Sequence, residues 1–299
     1  SGRAVSAYHS CFVTKLMGEI KPNRARFDLS DNEDEHILLT NMRELADELT
    51  YDNYRETYHD LIMHKEQAAS AFKFDVISMD DMAKVEAMYW HSMSRIAAFA
   101  QGDENAPDDL KALPDLLASQ FLGNFSVFQS TIDSWAIKQV LPIVPLSRLN
   151  QYPERVGSLV DITCDSDGAI NQFVGPQGIS PTLPIHEFEE DEDYYIVIFL
   201  TGAYQDVMGD MHNLFGRVNE VHIVSHDDDP KDYYIEEVIR GASMGQVLST
   251  MQYTPELLAR MVKKEIDGQV RKGNIRPRVG VQLTDFYEDC LAGYTYLED

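Results

Sequence analysis

Basic residues are scarce in this sequence. It has 25 lysines and arginines against 50 aspartates and glutamates, which gives a formal net charge of −25 at pH 7. A surface of this charge repels the phosphates of nucleic acids instead of displacing their counterions. We therefore expect no nucleic-acid partner. The charge suits a cationic ligand, although acidity of this degree is also typical of a surface that is merely soluble.

Cysteine is equally scarce. Cys11, Cys164 and Cys290 are far apart, odd in number and never form a Cys-x-x-Cys pair. This speaks against a disulfide framework and a zinc site, and it favours a reducing compartment. No apolar run approaches the roughly 18 residues of a membrane span, and the first residues lack a charged-then-apolar signal pattern. The sequence therefore predicts a cytoplasmic protein without a membrane partner.

Hydrophobic periodicity changes three times along the chain. Residues 4–20 are rich in β-branched and aromatic side chains and predict one or two strands. From Ile37 the period is helical, and it predicts an antiparallel bundle of about four helices, with Phe121 still on the helical pattern. Short apolar runs between turns then predict strands at 157–163, 169–174, 194–201, 219–224 and 233–239. From Gly241 the pattern is helical again.

These segments predict an α+β fold with boundaries at 1–25, 26–150, 151–240 and 241–299. The strands of the first and third segments would complete one antiparallel β-barrel or sandwich. The helical bundle of residues 26–150 would then be an insertion into this β-domain, and residues 241–299 would be a C-terminal helical extension. A chain of 299 residues is long enough for two domains.

Residues 161–168 (Asp-Ile-Thr-Cys-Asp-Ser-Asp-Gly) concentrate reactive groups at the end of a predicted strand. A corner of this kind suits function, because a rigid scaffold holds side chains whose tips stay accessible. An EF-hand calcium loop is excluded, since alignment on Gly168 places Thr163 and Val174 at ligand positions. A solvated acidic turn beside a buried cysteine remains the structural alternative.

Further motifs follow this corner. They are Leu-Pro-Ile-His-Glu at 183–187, Gly-Ala-Tyr-Gln at 202–205 and Gly-Asp-Met-His-Asn-Leu-Phe-Gly at 209–216. Together with the Cys-Asp corner, they resemble the C-terminal β-domain of the PLP-dependent decarboxylases of ornithine, diaminopimelate and arginine. With Asn-Phe-Ser-Val-Phe-Gln-Ser at 124–130, the pattern is most similar to the biosynthetic arginine decarboxylases. Helices inserted between barrel and β-domain are a feature of that branch.

The resemblance implies one half of a composite active site, formed across a homodimer interface in relatives. The family's TIM barrel, which carries the PLP lysine, is absent from this chain. Cys164 would be the thiol that reaches the cofactor of a partner subunit and controls reprotonation of the carbanion. Asp165 would bind the distal cation of the substrate. Asp167 would be an added acidic position, suited to a guanidinium that two carboxylate oxygens accept in a fork.

Cofactor contacts are implied in the same way. Tyr204 would contact the PLP phosphate, and Gly2 and Arg3 would match a segment at the end of the barrel (residues 1–3) that also lies on the phosphate. Mg²⁺ is a further requirement that the resemblance implies, without an assigned site. The His residues have no zinc-type spacing with carboxylates or thiols.

The resemblance as a whole implies the C-terminal part of an enzyme that converts L-arginine to agmatine and CO₂ in polyamine biosynthesis. Its partners would be the N-terminal PLP-barrel half and further copies in a dimer or tetramer, and the chain alone would be inactive. Two alternatives stay open. One is a non-catalytic regulatory subunit that binds a decarboxylase. The other is a decarboxylase of the same fold for another basic amino acid.

Overall fold

Three long helices form one hydrophobic core. The computed structural model, which describes residues 5–21, 35–176, 178–225, 229 and 231–298, places them at Ile37–Asp47 (α1), Tyr54–Lys73 (α2) and Met79–Gln101 (α3). Their apolar stripes meet around buried side chains such as Leu61 and Met88. The single-turn helices Asp108–Lys111 (α4) and Leu113–Leu116 (α5) pack against α3. The predicted helical bundle is confirmed.

Capping interactions set the ends of these helices. Ser78 and Asp81 form a reciprocal capping box at the start of α3. At the end of α1, the Arg95 guanidinium donates to the carbonyls of Ala46 at 2.7 Å and Leu49 at 2.6 Å. Ala46 lies in the last turn of α1 and Leu49 follows the end of that helix, so the side chain from α3 satisfies both carbonyls and ties the end of α1 to α3.

A second core belongs to a curved, nearly closed sheet of seven strands. The strands of the chain are β1 (Phe12–Ile20), β2 (Ser119–Gly123), β3 (Ile143–Pro145), β4 (Arg155–Val160), β5 (Ala169–Ile170), β6 (Phe173–Gly175), β7 (Gly178–Ser180), β8 (Leu183–Ile185), β9 (Tyr194–Ile198), β10 (Glu220–Ser225) and β11 (Tyr233–Ile239). The order in the seven-stranded sheet is β3-β9-β1-β2-β4-β5, and β8 also pairs with β4 while it contacts β3. Two further pairs, β6–β7 and β10–β11, lie outside this sheet.

The structure corrects the predicted helix at Phe121. This residue lies in β2, where Ser119, Phe121 and Gly123 are buried and the intervening residues are more exposed, a period of two. Its neighbours β1 and β4 supply the partners, and β2 runs antiparallel to β1 but parallel to β4. The prediction of a purely antiparallel sheet is therefore wrong for this pair. The strand predicted for residues 4–20 begins only at Phe12, after a short 3₁₀ turn.

Three short helices border the sheet near the predicted chemical corner. They are Val127–Ser130 (α6), Ile132–Ile137 (α7) and Gln205–Met208 (α8). The Ser126 side chain accepts from Gln129 N at the start of α6, as expected of a capping serine. Helices α6 and α7 contact α8 and carry several of the groups described below.

The C-terminal part is helical, as predicted. It contains Met244–Thr250 (α9), Pro255–Arg271 (α10) and Pro277–Ala292 (α11), and Thr254 caps α10 in front of Pro255. The last residues then return to the sheet, because Asn124 exchanges two hydrogen bonds with the backbone of Leu297. None of the helices in the described ranges combines the length and the apolar composition of a membrane span.

Candidate functional site

A buried carboxylate organises the corner at residues 161–168. β4 ends at Val160, and Asp161 accepts hydrogen bonds from Val127 N (2.7 Å), Thr163 N (2.9 Å) and Thr163 Oγ1 (2.7 Å). These bonds connect the strand end to α6 and bend the backbone back on itself, so that Asp161 N donates to Gly168 O at 2.8 Å. The corner is therefore an ordered structure with a buried polar centre.

Gly168 closes this turn because no other residue fits. A Cβ at this position would lie 2.2 Å from Asp161 Oδ1 and 2.7 Å from Thr163 Oγ1. The Asp161 side chain is only 4% exposed, and burial raises the pKa of its carboxyl, against hydrogen bonds from Thr163 and Val127 that lower it. A side chain at residue 168 would therefore displace the Asp161 carboxylate and the Thr163 hydroxyl.

The predicted thiol and carboxylates point outward from this turn. Cys164 is exposed, so the structural alternative of a buried cysteine beside a solvated turn is wrong on this point. The Cys164 Sγ donates to Asn213 Oδ1 at 3.5 Å. His212 Nε2 lies 3.1 Å from Asp165 Oδ2, where an imidazole N–H donates to the carboxylate. One short segment after α8 therefore orients both Cys164 and Asp165.

That segment has an unusual backbone. Asn213 and Leu214 are consecutive residues with positive φ, 56° and 64°, a conformation that costs free energy for residues other than glycine. The neighbouring Gly216 N donates to Thr295 Oγ1, and Tyr296 Oη donates to Gly216 O at 2.8 Å. The C-terminal residues thus help to hold the strained segment against the corner.

Asp167 faces a different neighbour. Trp135 Nε1, in α7, donates to Asp167 Oδ2 at 3.3 Å, while Asp167 N donates to Asp165 Oδ1 at 2.9 Å. The two aspartates are thus linked through the backbone of the turn, and their carboxylates are held by separate aromatic residues. Cys164, Asp165 and Asp167 lie together on this turn, and their roles in the site stay predictions.

Tyr204 is connected to the same supports. It has φ +70° at the start of α8, another strained conformation for a residue that is not glycine. The adjacent Gln205 is buried and exchanges two hydrogen bonds with Asp133 of α7, from Asp133 N (3.2 Å) and to Asp133 Oδ2 (2.8 Å). Tyr204 and the Trp135 indole therefore rest on one helical support. Gly2 and Arg3 lie outside the described residues.

A cleft of about 680 Å³ opens beside the corner, lined in part by Thr163, Asp165, Ser166 and Phe215. No group of three or more His, Cys, Asp or Glu side chains suited to a metal ion occurs in the described part of the chain. The cleft offers carboxylate, hydroxyl and apolar surface. Mg²⁺ therefore stays a prediction without an assigned site.

Comparison with known proteins gives matches along the whole chain. Two family models match, the arginine decarboxylase helical bundle domain at residues 32–114 and the arginine decarboxylase C-terminal helical extension at residues 244–297. The biosynthetic arginine decarboxylase of Phocaeicola vulgatus is 38% identical over 298 residues, which cover 100% of this chain. The chain belongs to the biosynthetic arginine decarboxylase family. The biosynthetic arginine decarboxylase of Thermosynechococcus vestitus is 37% identical over 302 residues, which cover 99% of this chain and 46% of that protein.

The fold is also that of this arginine decarboxylase family. The crystal structure of biosynthetic arginine decarboxylase SpeA from Campylobacter jejuni matches 99% of this chain with a TM-score of 0.82 and 26% identity. The chain spans about half the length of the relatives that it matches, 47% of the Phocaeicola protein and 46% of the Campylobacter chain. The TIM barrel is not in this chain.

Three residues at the site were not assigned a role from sequence. His212 and Asn213 belong to the motif at 209–216, and Trp135 belongs to the Asp-Ser-Trp-Ala-Ile stretch at 133–137. Their motifs were visible, but their contacts were not. A motif in this arginine decarboxylase family member therefore marks a place in the fold, and only the tertiary contacts show which side chain each residue supports.

The raised pKa of Asp161 predicts a pH dependence of stability. Below the unfolded value of 3.8 both states are protonated, and as pH rises through the raised folded pKa the folded state loses the advantage of holding its proton. The free energy of unfolding of wild type, relative to Asp161→Asn, is therefore expected to fall as pH rises. Urea unfolding of both proteins at a series of pH values measures this difference.

Asp285→Asn is the matched control, because it makes the same substitution at an exposed carboxylate on α11. A difference between wild type and Asp161→Asn that stays constant with pH would show that burial does not govern the titration of Asp161.

Proposed function

We propose that this chain is the C-terminal part of a PLP-dependent arginine decarboxylase, which converts L-arginine to agmatine and CO₂ in polyamine biosynthesis in the cytoplasm. The observation that carries the proposal is the corner at residues 161–168. There a thiol and two carboxylates share one exposed turn, and His212 and Asn213 orient two of them. Membership of the arginine decarboxylase family supports the choice of reaction.

The side chains fit one side of a PLP site. Tyr204 offers a phenol donor for a phosphate oxygen, held at a strained backbone position next to buried Gln205. The groups gathered at the corner are a thiol, carboxylates, an imidazole and an amide, so the lysine that bonds to the cofactor would come from the N-terminal barrel half. When bound, PLP supplies the electron sink that stabilises the charge left at Cα.

In this proposal, the residues at the corner bind the cationic end of the substrate and deliver a proton. Asp165 and Asp167 bind the cationic end of the substrate, and His212 keeps the Asp165 carboxylate oriented toward it. Cys164 holds a proton on Sγ, directed by Asn213 Oδ1, and delivers it to the substrate carbon after CO₂ leaves. Solvent then restores the proton on the exposed thiol.

Exposed apolar surface supports an oligomer. Every residue of β11 is exposed, and the cross-strand pairs Ile223–Ile235 and Val221–Val238 present large side chains on a two-stranded ribbon. A lone hairpin of this kind is marginally stable in water. We infer that further copies or the barrel half cover it in a dimer or tetramer.

The proposal is tested by reconstitution. The chain is mixed with the N-terminal half of a relative, such as that of Phocaeicola vulgatus, and with PLP, and ¹⁴CO₂ release from arginine is measured. We expect release in the mixture and none from either part alone, together with a mixture that sediments as more than one copy of each part.

The controls separate the alternatives. Ornithine and lysine replace arginine in parallel assays, and equal or faster release from either would favour a decarboxylase of another basic amino acid. A mixture that binds PLP and never releases CO₂ would favour a regulatory subunit. Turnover by the chain alone would contradict the assignment of the lysine to the barrel half.

A further inference from the structure

Trp135 lies against the acidic turn at residues 161–168, although its sequence motif indicated no role for it. It is one of two tryptophans in the chain, and 38% of it is exposed, although it lies beside an acidic turn. Its Nε1 donates to Asp167 Oδ2 at 3.3 Å. Because the indole is partly exposed and Asp167 is exposed beside it, the pair presents an aromatic surface and a carboxylate side by side.

A second aromatic ring packs against the Trp135 indole. Phe128 of α6 packs edge-on against Trp135, with ring centroids 5.2 Å apart at 65°. The same Phe128 ring lies 4.5 Å from the His212 ring, which bonds to Asp165. A row of three rings therefore connects the two carboxylates, with Trp135 on Asp167 and His212 on Asp165.

Buried hydrogen bonds fix the helix that carries Trp135. Asp133 and Gln205 are 3% exposed each, and they exchange two hydrogen bonds between α7 and the start of α8. The first turn of α7 is thus anchored to the start of α8. The Trp135 ring is consequently a preorganised surface, so little entropy is lost when a ligand packs on it.

The chemistry of this surface favours one kind of cation. A guanidinium is planar, delocalised and weakly hydrated, so it stacks on an aromatic face while its N–H groups bond to a carboxylate. A primary ammonium is compact and strongly hydrated, and it gains less from a stacked ring. We propose that Trp135 is a specificity-determining residue that orients Asp167 and stacks on a guanidinium in preference to an ammonium.

This inference rests on the proposed function only in placing the substrate's cationic end at Asp165 and Asp167. It adds a discrimination that two carboxylates alone do not supply, because a carboxylate binds either cation. The alternative is that the Trp135–Asp167 bond serves only to stiffen the turn. In that case a change at Trp135 would alter stability without altering the ratio of affinities for the two cations.

The test is calorimetric titration of the 299-residue chain with agmatine and, separately, with 1,5-diaminopentane, which ends in ammonium groups. Wild type is expected to bind agmatine at least several-fold more tightly. Trp135→Leu is expected to weaken agmatine binding by about 3- to 30-fold and leave the diamine within about twofold. Trp135→Phe, which keeps a ring and loses the N–H, should fall between wild type and Trp135→Leu.

The controls decide between recognition and folding. Trp90→Leu removes the other tryptophan, in α3, and should not change the ratio of the two affinities. Circular dichroism checks that each variant is folded. If Trp135→Leu is not folded, Trp135→Phe and Asp167→Asn decide between a role in recognition and a role in folding. Equal affinities in wild type, no binding of either ligand, or a ratio unchanged in the Trp135 variants would each overturn the inference.

Failure of the proposed function gives a different result. Reconstitution without CO₂ release would contradict the decarboxylase proposal, while the preference for agmatine over the diamine is measured on the chain itself. The failure of one proposal is therefore distinguishable from the failure of the other.

Discussion

Replacing Cys164 by alanine is expected to lower kcat for arginine about a hundredfold or more in the reconstituted mixture, because the thiol proton no longer reaches the substrate carbon. KM should change little, since the carboxylates of Asp165 and Asp167 and their supports remain. The Asn213 amide loses only the weak S–H donor at 3.5 Å. Single-turnover ¹⁴CO₂ release and agmatine formation, measured separately, show which step is slowed.

The chain provides its own control for this variant. Cys290 is also an exposed free cysteine, on α11, and Cys290→Ala should leave kcat and KM at wild-type values. Equal kcat for wild type and Cys164→Ala would remove the thiol from the mechanism and leave the corner with a binding role only.

The second large effect is expected from Gly168→Ala. The new Cβ lies 2.2 Å from Asp161 Oδ1, so the buried carboxylate must turn away from Val127 N and Thr163 N. Overpacking together with unsatisfied buried donors should lower the free energy of unfolding by about 3 kcal/mol. Decarboxylation should also fall steeply, because Asp161 positions the turn that carries Cys164 and Asp165. Urea unfolding and initial rates measure both effects.

Gly268→Ala is the matched control. Gly268 lies inside α10, and a Cβ there has nothing within 4 Å, so alanine should stabilise the helix by about 0.5–1 kcal/mol. If Gly168→Ala had the wild-type free energy of unfolding, the turn would accommodate the added Cβ at no cost in stability. The position of Asp161 would then not depend on glycine at residue 168.

Local periodicity sufficed for the helical bundle but not for the sheet. The stripes of α1 to α3 repeat over many turns, so each helix shows its buried face in the sequence itself. Phe121 follows Leu117 at helical spacing, yet it lies in β2 between β1 and β4. Tertiary pairing overrode local spacing there, as it does for short apolar segments.

For the candidate site, the sequence by itself determined which groups share one turn, because Cys164, Asp165 and Asp167 are neighbours in the chain. It also determined the family, since its motifs span the molecule. Only the tertiary structure decided what orients each group. Asn213 is 49 residues from Cys164, and Trp135 is 32 residues from Asp167. Contacts at such separations depend on how strands and short helices pack, and no local pattern encodes them.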